Sequence, residues 1–375
     1  MGAAAVPAES VAGEPLPYAS RPIDYFSKEI DHPVSRIVNA DGTPTAPLSA
    51  RGKSGYLVDL LSSLKIPPES QLLVYSKTSV NVKLVSPRKP RAIYFNDDTY
   101  VAWIPESSSV EITAIDPRKG AVFLTLNQAP APAQFQRQES CLACHVGKGT
   151  QGIPGLLMKS VTADTSGNPV TSIRDVDRMT PWKDLAGGWY LSGVPRGFDH
   201  AGIMLDATRN DVLEQDYYPL RGSDVVAFAV LKHQLEVQNL LIRLRYEHVL
   251  GKPMDSMQPL LKSLFFQADP GLPAPLSSSP FAKKFSERGM KARTGGSLRT
   301  LNLETRLFEH RLSYLIDSRI VKAYPPELRR ILYGRVAAGV TDKAPEIAGH
   351  LSPEERQKIE QILRETQPEI FAATP

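Results

Sequence analysis

Cys141-Leu142-Ala143-Cys144-His145 holds both cysteines of the 375-residue chain and stands at a seam in it. Before it, short runs alternate apolar and polar residues; after it glycines crowd, and then the pattern takes a helical period. The spacing Cys-x-x-Cys-His is the attachment signature of c-type haem. Two thiols three positions apart can each add to one porphyrin vinyl group, and the histidine that follows is carried under the ring as a ligand to iron. Two plainer readings stay open. One is a thioredoxin-like dithiol, but such a pair opens a helix after a strand, and residues 128–140 are rich in Pro, Ala and Gln instead. The other is half of a zinc site, which needs a second Cys or His pair at short spacing; no cysteine remains.

Working outward, the chain reads as an α+β protein with a β-rich N-terminal unit, a Gly-rich haem segment and a helical C-terminal unit closing the haem pocket. Residues 1–50 are Pro/Ala-rich and read as an extended N-terminal arm. The β-rich unit, 51–127, begins with a short helix at 55–64 ended by Pro67-Pro68. Candidate strands follow at 72–76, 91–95, 100–104, 110–115 and 121–126, with Asn96-Asp97-Asp98 as a hairpin turn. Residues 128–134 form a linker. The haem-attachment segment, 135–215, is dense in glycine, which allows tight turns and close backbone approach. In the helical unit, 220–375, Ser223-Asp224 caps a long helix to 250 that Gly251 and Pro253 close. A connection at 268–300 leads to helices at 302–323, 326–338 and 352–366, the last opened by Ser352-Pro353-Glu354-Glu355.

Composition excludes several classes. A net charge of +4 is too slight to argue for nucleic acid, and 42% hydrophobic with 22% charged residues describes an ordinary globular chain. No run of eighteen apolar residues is present, so no transmembrane segment is expected. The start, Met1-Gly2-Ala3-Ala4-Ala5-Val6-Pro7, lacks the basic and apolar regions of a secretory signal. Because c-type haem is attached outside the cytoplasm, the motif implies a periplasmic or extracellular protein whose export signal was removed or lies upstream.

A second axial ligand would come from His or Met. His233 ranks first: Val226, Val230, His233, Val237, Leu240 and Leu244 recur at helical spacing, so the imidazole sits in an apolar stripe and needs a partner, either iron or a core carbonyl. His200, within the Gly-rich stretch, ranks second. Met204 and Met158 are the sulfur candidates, each equally at home as core filling. Trp189 and Tyr190 could pack on the porphyrin edge, and Arg196, Arg174 and Lys159 could neutralise propionates. His310 reads as a core or pocket histidine, and His32, His248 and His350 show no constellation. No catalytic triad, phosphate loop or metal-binding His pair is present.

Three stretches resemble a family of exported bacterial single-haem cytochrome c-like proteins of largely unassigned function. They are 72–76 with Ser86-Pro87-Arg88, Arg91-Ala92-Ile93-Tyr94-Phe95 and 116–126; Thr150-Gln151-Gly152-Ile153-Pro154-Gly155 with Gly187-Gly188-Trp189-Tyr190; and Ser223-Asp224-Val225-Val226 with His233-Gln234 and Asn239-Leu240-Leu241. The resemblance implies haem, export and histidine at positions 200 and 233. Where the family reads Asp-His-Arg-Ser-Pro, this chain has Asp177-Arg178-Met179-Thr180-Pro181 and so lacks that histidine. The expected function is one-electron transfer through one covalent haem c held by Cys141, Cys144 and His145, with a redox partner protein. The alternatives are a haem enzyme of the peroxidase or oxidase kind and a haem-based sensor, each with an open axial position.

Overall fold

Strand β1, Leu72–Val74, starts a ladder that continues through β2 (Arg91–Phe95), β3 (Thr99–Trp103), β4 (Ser109–Asp116), β5 (Gly120–Asn127) and β6 (Gln134–Arg137), each antiparallel to the one before. The computed structural model describes residues 14–79, 81–128, 132–209 and 211–372. A small two-stranded sheet pairs β7 (Lys159–Ser160) with β8 (Arg174–Asp175). Strands β9 (Trp189–Leu191) and β10 (Ile203–Met204) extend the main sheet beyond β1, giving the eight-stranded order β10-β9-β1-β2-β3-β4-β5-β6. The β9–β10 pair is parallel, so the sheet is mixed. The five strands expected in the β-rich unit are present; β6, β9 and β10 are additional, and the last two come from the segment after the motif.

Alternation with period two sends side chains to two faces, and both faces are covered. Leu73, Tyr94, Val101, Ile112, Val122 and Leu126 point to one core with α1 (Leu57–Ser63). Leu72, Phe95, Tyr100, Ile115 and Phe123 point to the other, which continues into the helical part. The run 14–50 is irregular yet sends Leu16, Ile23, Tyr25 and Val34 into these cores; residues 1–13 of the expected arm, and 129–131 of the linker, lie outside the described residues.

The motif forms α2, Leu142–His145. The axis of the second core is α3, Val225–Val249, whose first turn is capped by Asp224 accepting from the Ala227 N–H at 2.8 Å, a contact worth about 1 kcal/mol. Gly251 follows at φ 63°, ending the helix as the sequence indicates. Nineteen of its 25 residues are buried, which makes it a central rather than an amphipathic helix. Among the described residues it is the one helix long and apolar enough to cross a membrane, and 89% of that window is buried inside the protein. Against it pack α4 (Met257–Leu264), α5 (Pro280–Glu287) and α6 (Arg319–Lys322), while α7 (Pro326–Val340) packs with α8 (Pro345–Ala348), α9 (Pro353–Thr366) and α10 (Glu369–Ala372).

Two expectations fail here. The 268–300 connection contains α5, started by Ser279 accepting from the Ala282 N–H with Pro280 in the first turn. The helix expected at 302–323 is replaced by a bridge between Leu301 and Phe308, a short 3-10 turn at Tyr314–Asp317, and α6. The Asn302 side chain accepts from the backbone N–H groups of Glu304 and Thr305, both at 3.1 Å, and Leu303 sits at φ 62°. That local turn displaces the helix.

Candidate haem-attachment site

Pairing of β6 with β5 delivers the chain to the edge of the sheet, and the motif follows at once. Gln138 donates its backbone N–H to the Phe123 carbonyl at 2.9 Å, and its side chain donates to Thr125 Oγ1 at 3.0 Å. A 3-10 turn, Glu139–Cys141, then leads into α2. Cys141 is half-buried and Cys144 exposed, both as free thiols one helical turn apart. The His145 ring lies against Phe123 with ring centres 4.7 Å apart.

His145 Nδ1 is 2.9 Å from the carbonyl oxygen of Gly155. A carbonyl only accepts, so Nδ1 carries the proton and Nε2 keeps a free lone pair. The loop that presents this carbonyl is fixed from several sides. Gly155 returns its own N–H to the His145 carbonyl, and the Pro154 carbonyl accepts from Ala121 of β5. Asn239 of α3 grips Leu156 in both directions, Nδ2 donating to its carbonyl at 2.6 Å and Oδ1 accepting its N–H at 3.2 Å. Glycine is required at 155, where a Cβ would stand 2.4 Å from Asn239 Oδ1, and at 152, where φ is 68° and a Cβ would meet the Glu14 carbonyl at 2.0 Å. Burial holds His145 below the ordinary histidine pKa, opposed by the Gly155 contact.

Beside the motif the sheet is only partly covered. Register places Ile93, Ala102, Glu111, Thr125 and Gln136 in one row across β2 to β6, and none of the five is buried. In the neighbouring row Phe95, Tyr100 and Phe123 are buried. At about 4.8 Å per strand, the open row spans roughly 19 Å, enough for a flat macrocycle. Arg91 lies on the same face and pairs with Glu111 at 2.5 Å, while its Nε is buried without a partner. Both charges are close enough to act on Cys141 and His145.

These features fit a covalent haem: two free thiols on one turn, an imidazole in the tautomer a metal needs, an open flat face, and an arginine with a spare donor. They do not suit the two plainer readings. Burial raises the Cys141 pKa, the reverse of a reactive dithiol, and among the described residues no group of three or more His, Cys, Asp or Glu gathers as a metal would require.

The second-ligand candidates lie elsewhere. His233 is buried, with Nε2 2.8 Å from Ser313 Oγ and its ring stacked on Phe266 at 4.4 Å. It lines a cavity of about 280 Å³ with Trp182, Phe266 and Phe308. Six residues separate it from Asn239, about 9 Å along the axis and about 240° around it, so it faces away from the motif's side of α3. His200 is half-buried and its Nδ1 accepts from the Gly202 N–H at 3.1 Å, which puts the proton on Nε2. Among the described residues neither histidine makes a hydrogen bond or ring contact with His145.

Met158 is buried and Met204 is exposed on β10. Trp189 and Tyr190 are core residues, donating to the Lys159 and Pro87 carbonyls respectively. Arg174 and Arg196 are exposed, and Lys159 is near enough to His145 to lower its pKa. His310 is nearly buried; His32 and His350 are held by local or backbone contacts, Ser35 N–H and the Phe265 carbonyl. The Gly155 carbonyl, Asn239 and the Arg91–Glu111 pair escape the sequence reading, although a polar Asn239 inside an apolar helix is a signal for the second.

Comparisons with protein-family models, with curated proteins and with solved structures found no match to this chain.

Proposed function

We propose that the chain is a single-haem c-type cytochrome working in one-electron transfer outside the cytoplasm. The observation that carries this reading is the His145–Gly155 contact: within a Cys-x-x-Cys-His turn, a backbone carbonyl fixes the proton on Nδ1 and leaves Nε2 for iron. Cys141 and Cys144 would hold the porphyrin by thioether bonds, and the unpartnered Nε of Arg91 would be a donor for a propionate. Haem supplies a one-electron couple at its iron. The protein's residues supply the rest: Phe123 and Gly155 orient the imidazole, α3 braces the loop through Asn239, and Cys144 sets the attachment at the surface, within reach of a partner protein.

A haem enzyme or sensor with an open axial position is the second reading. It is favoured by one observation, that His233 and His200 are engaged away from the motif.

Covalent attachment tests the shared premise. After export through a haem-maturation system, the denatured polypeptide should retain haem through acid–acetone extraction, and Cys141→Ser/Cys144→Ser should release it all. Complete release from the unaltered chain would end both readings.

A further inference from the structure

A cavity of about 490 Å³ opens between the 21–29 loop, the β4–β5 turn and α3. Its lining holds Arg21, Lys28, Arg118, Lys119 and Arg245, against the carboxylates of Asp24 and Glu29. None of the five cations forms an ion pair with a described residue. This is unusual in a chain whose overall charge is only +4.

The floor is built from the two cations least able to rely on water. Lys119 is 4% exposed, its ammonium held by the Ser27 carbonyl at 3.1 Å and Ser27 Oγ at 2.5 Å, which leaves one proton undirected. Arg245 projects from α3; its Nε is buried without any partner, and its one hydrogen bond is a 3.5 Å contact to the Arg118 carbonyl. Asp116, the nearest buried carboxylate, is spent on backbone, accepting from the N–H groups of Asp31, Arg118 and Lys119. Arg21, Lys28 and Arg118 form an exposed rim. Five cations facing a concave space against two carboxylates leave a surplus of positive charge, costly in isolation and favourable around an anion.

We infer that this cavity binds a small multivalent oxyanion whose charge is carried by phosphate or carboxylate groups. The guanidinium of Arg245 and the ammonium of Lys119 meet it at the floor, and the rim cations close over it. A monovalent anion leaves most of the charge unanswered. The inference is independent of haem attachment, since no residue of the motif lines the cavity.

Calorimetric titration of the full chain with pyrophosphate, and separately with citrate, tests it at an ionic strength matched with sodium chloride. One saturable site per chain is expected, weakened at least ten-fold by Arg245→Gln. Arg118→Glu, on the exposed rim, should weaken it about as much with an unchanged melting temperature, so the test survives if the α3 variant fails to fold. Tighter pyrophosphate identifies a phosphate-bearing ligand, tighter citrate a polycarboxylate, and either supports the inference. No saturation by either anion at millimolar concentration overturns it, and so does equal affinity in the Arg118→Glu protein.

Discussion

His145 Nδ1 and the Gly155 carbonyl oxygen, 2.9 Å apart, couple the attachment turn to the central helix, because Asn239 of α3 holds the next residue of the same loop at both its N–H and its carbonyl. Replacing Asn239 by Leu leaves two backbone groups of Leu156 without partners. At about 1–3 kcal/mol for each stranded buried group, the protein should lose roughly 2–4 kcal/mol in denaturant unfolding. Gly155→Ala should be destabilising too, and should also move the carbonyl away from His145. A Gly155→Ala protein with unchanged unfolding and unchanged haem absorption bands would show that this loop does not orient the imidazole.

His233 and His200, the first- and second-ranked candidates for a distal ligand, are held by different partners. His233→Ala removes a ring stacked on Phe266 and tilted against Phe308 and takes one partner from Ser313 Oγ, so a loss of about 2–4 kcal/mol is expected with the haem bands unmoved. His200→Ala should cost little stability, since the side chain is half-buried and its one hydrogen bond is local. A collapse of the low-spin bands in the His233 variant would restore it as an axial ligand and require α3 to rotate. If neither variant moves them and a sulfur-to-iron band appears in the near infrared, the exposed Met204 is the residue to replace next.

Carbon monoxide separates the two proposed readings. An electron carrier with both axial positions filled should bind it slowly and incompletely when reduced at neutral pH. An open position should bind it fast and stoichiometrically. Glu111, the acid on the sheet face beside the motif, is already engaged by Arg91, and electron transfer is the expected result. Rapid binding together with peroxide turnover would establish the enzyme reading instead.

What the sequence makes legible follows from how local each determinant is. The strands around Tyr94, Val101 and Ile112 announce themselves through period-two alternation, and α3 through Asp224 at one end and Gly251 at the other. The turn at Cys141–His145 could be proposed from sequence alone because the chemistry it suggests lies within five residues. The helix expected at 302–323 is misread because the chain folds back there: Leu303 takes a positive φ, and Asn302 and Leu303 donate their N–H groups to the Leu307 and Arg306 carbonyls. The supports of His145 are hidden for a different reason: a carbonyl ten residues away and an asparagine 83 residues beyond that loop meet only after folding, and Arg91 faces Glu111 only once β2 to β4 are in register. Ring protonation at His200 and His233 depends on partners that no spacing reveals.

Two buried groups should tilt stability against pH in opposite senses. Burial lowers the His233 pKa from 6.5 to about 3, so the folded state holds it neutral while the unfolded chain takes up a proton below pH 6.5. Its contribution is present above that pH and is lost as pH falls toward 3, by about 1.4 kcal/mol per unit at most. Asp269 is the reverse case. Burial, against the pull of Lys232, raises it from 3.8 to about 7, so its contribution is whole below pH 3.8 and is lost as pH rises through 7. Other buried groups titrate over the same range, and difference measurements remove them. Relative to the unaltered protein, His233→Gln should therefore gain stability as pH falls from 6.5 to 4, whereas Asp269→Asn should gain it as pH rises from 4 to 7. Urea unfolding at pH 4.5, 5.5, 6.5 and 7.5 reads both. Parallel curves for His233→Gln and the unaltered protein would mean that His233 takes up its proton at the same pH in the folded and unfolded states, and below that pH its contact with Ser313 would be a charge-assisted donor rather than a neutral pair.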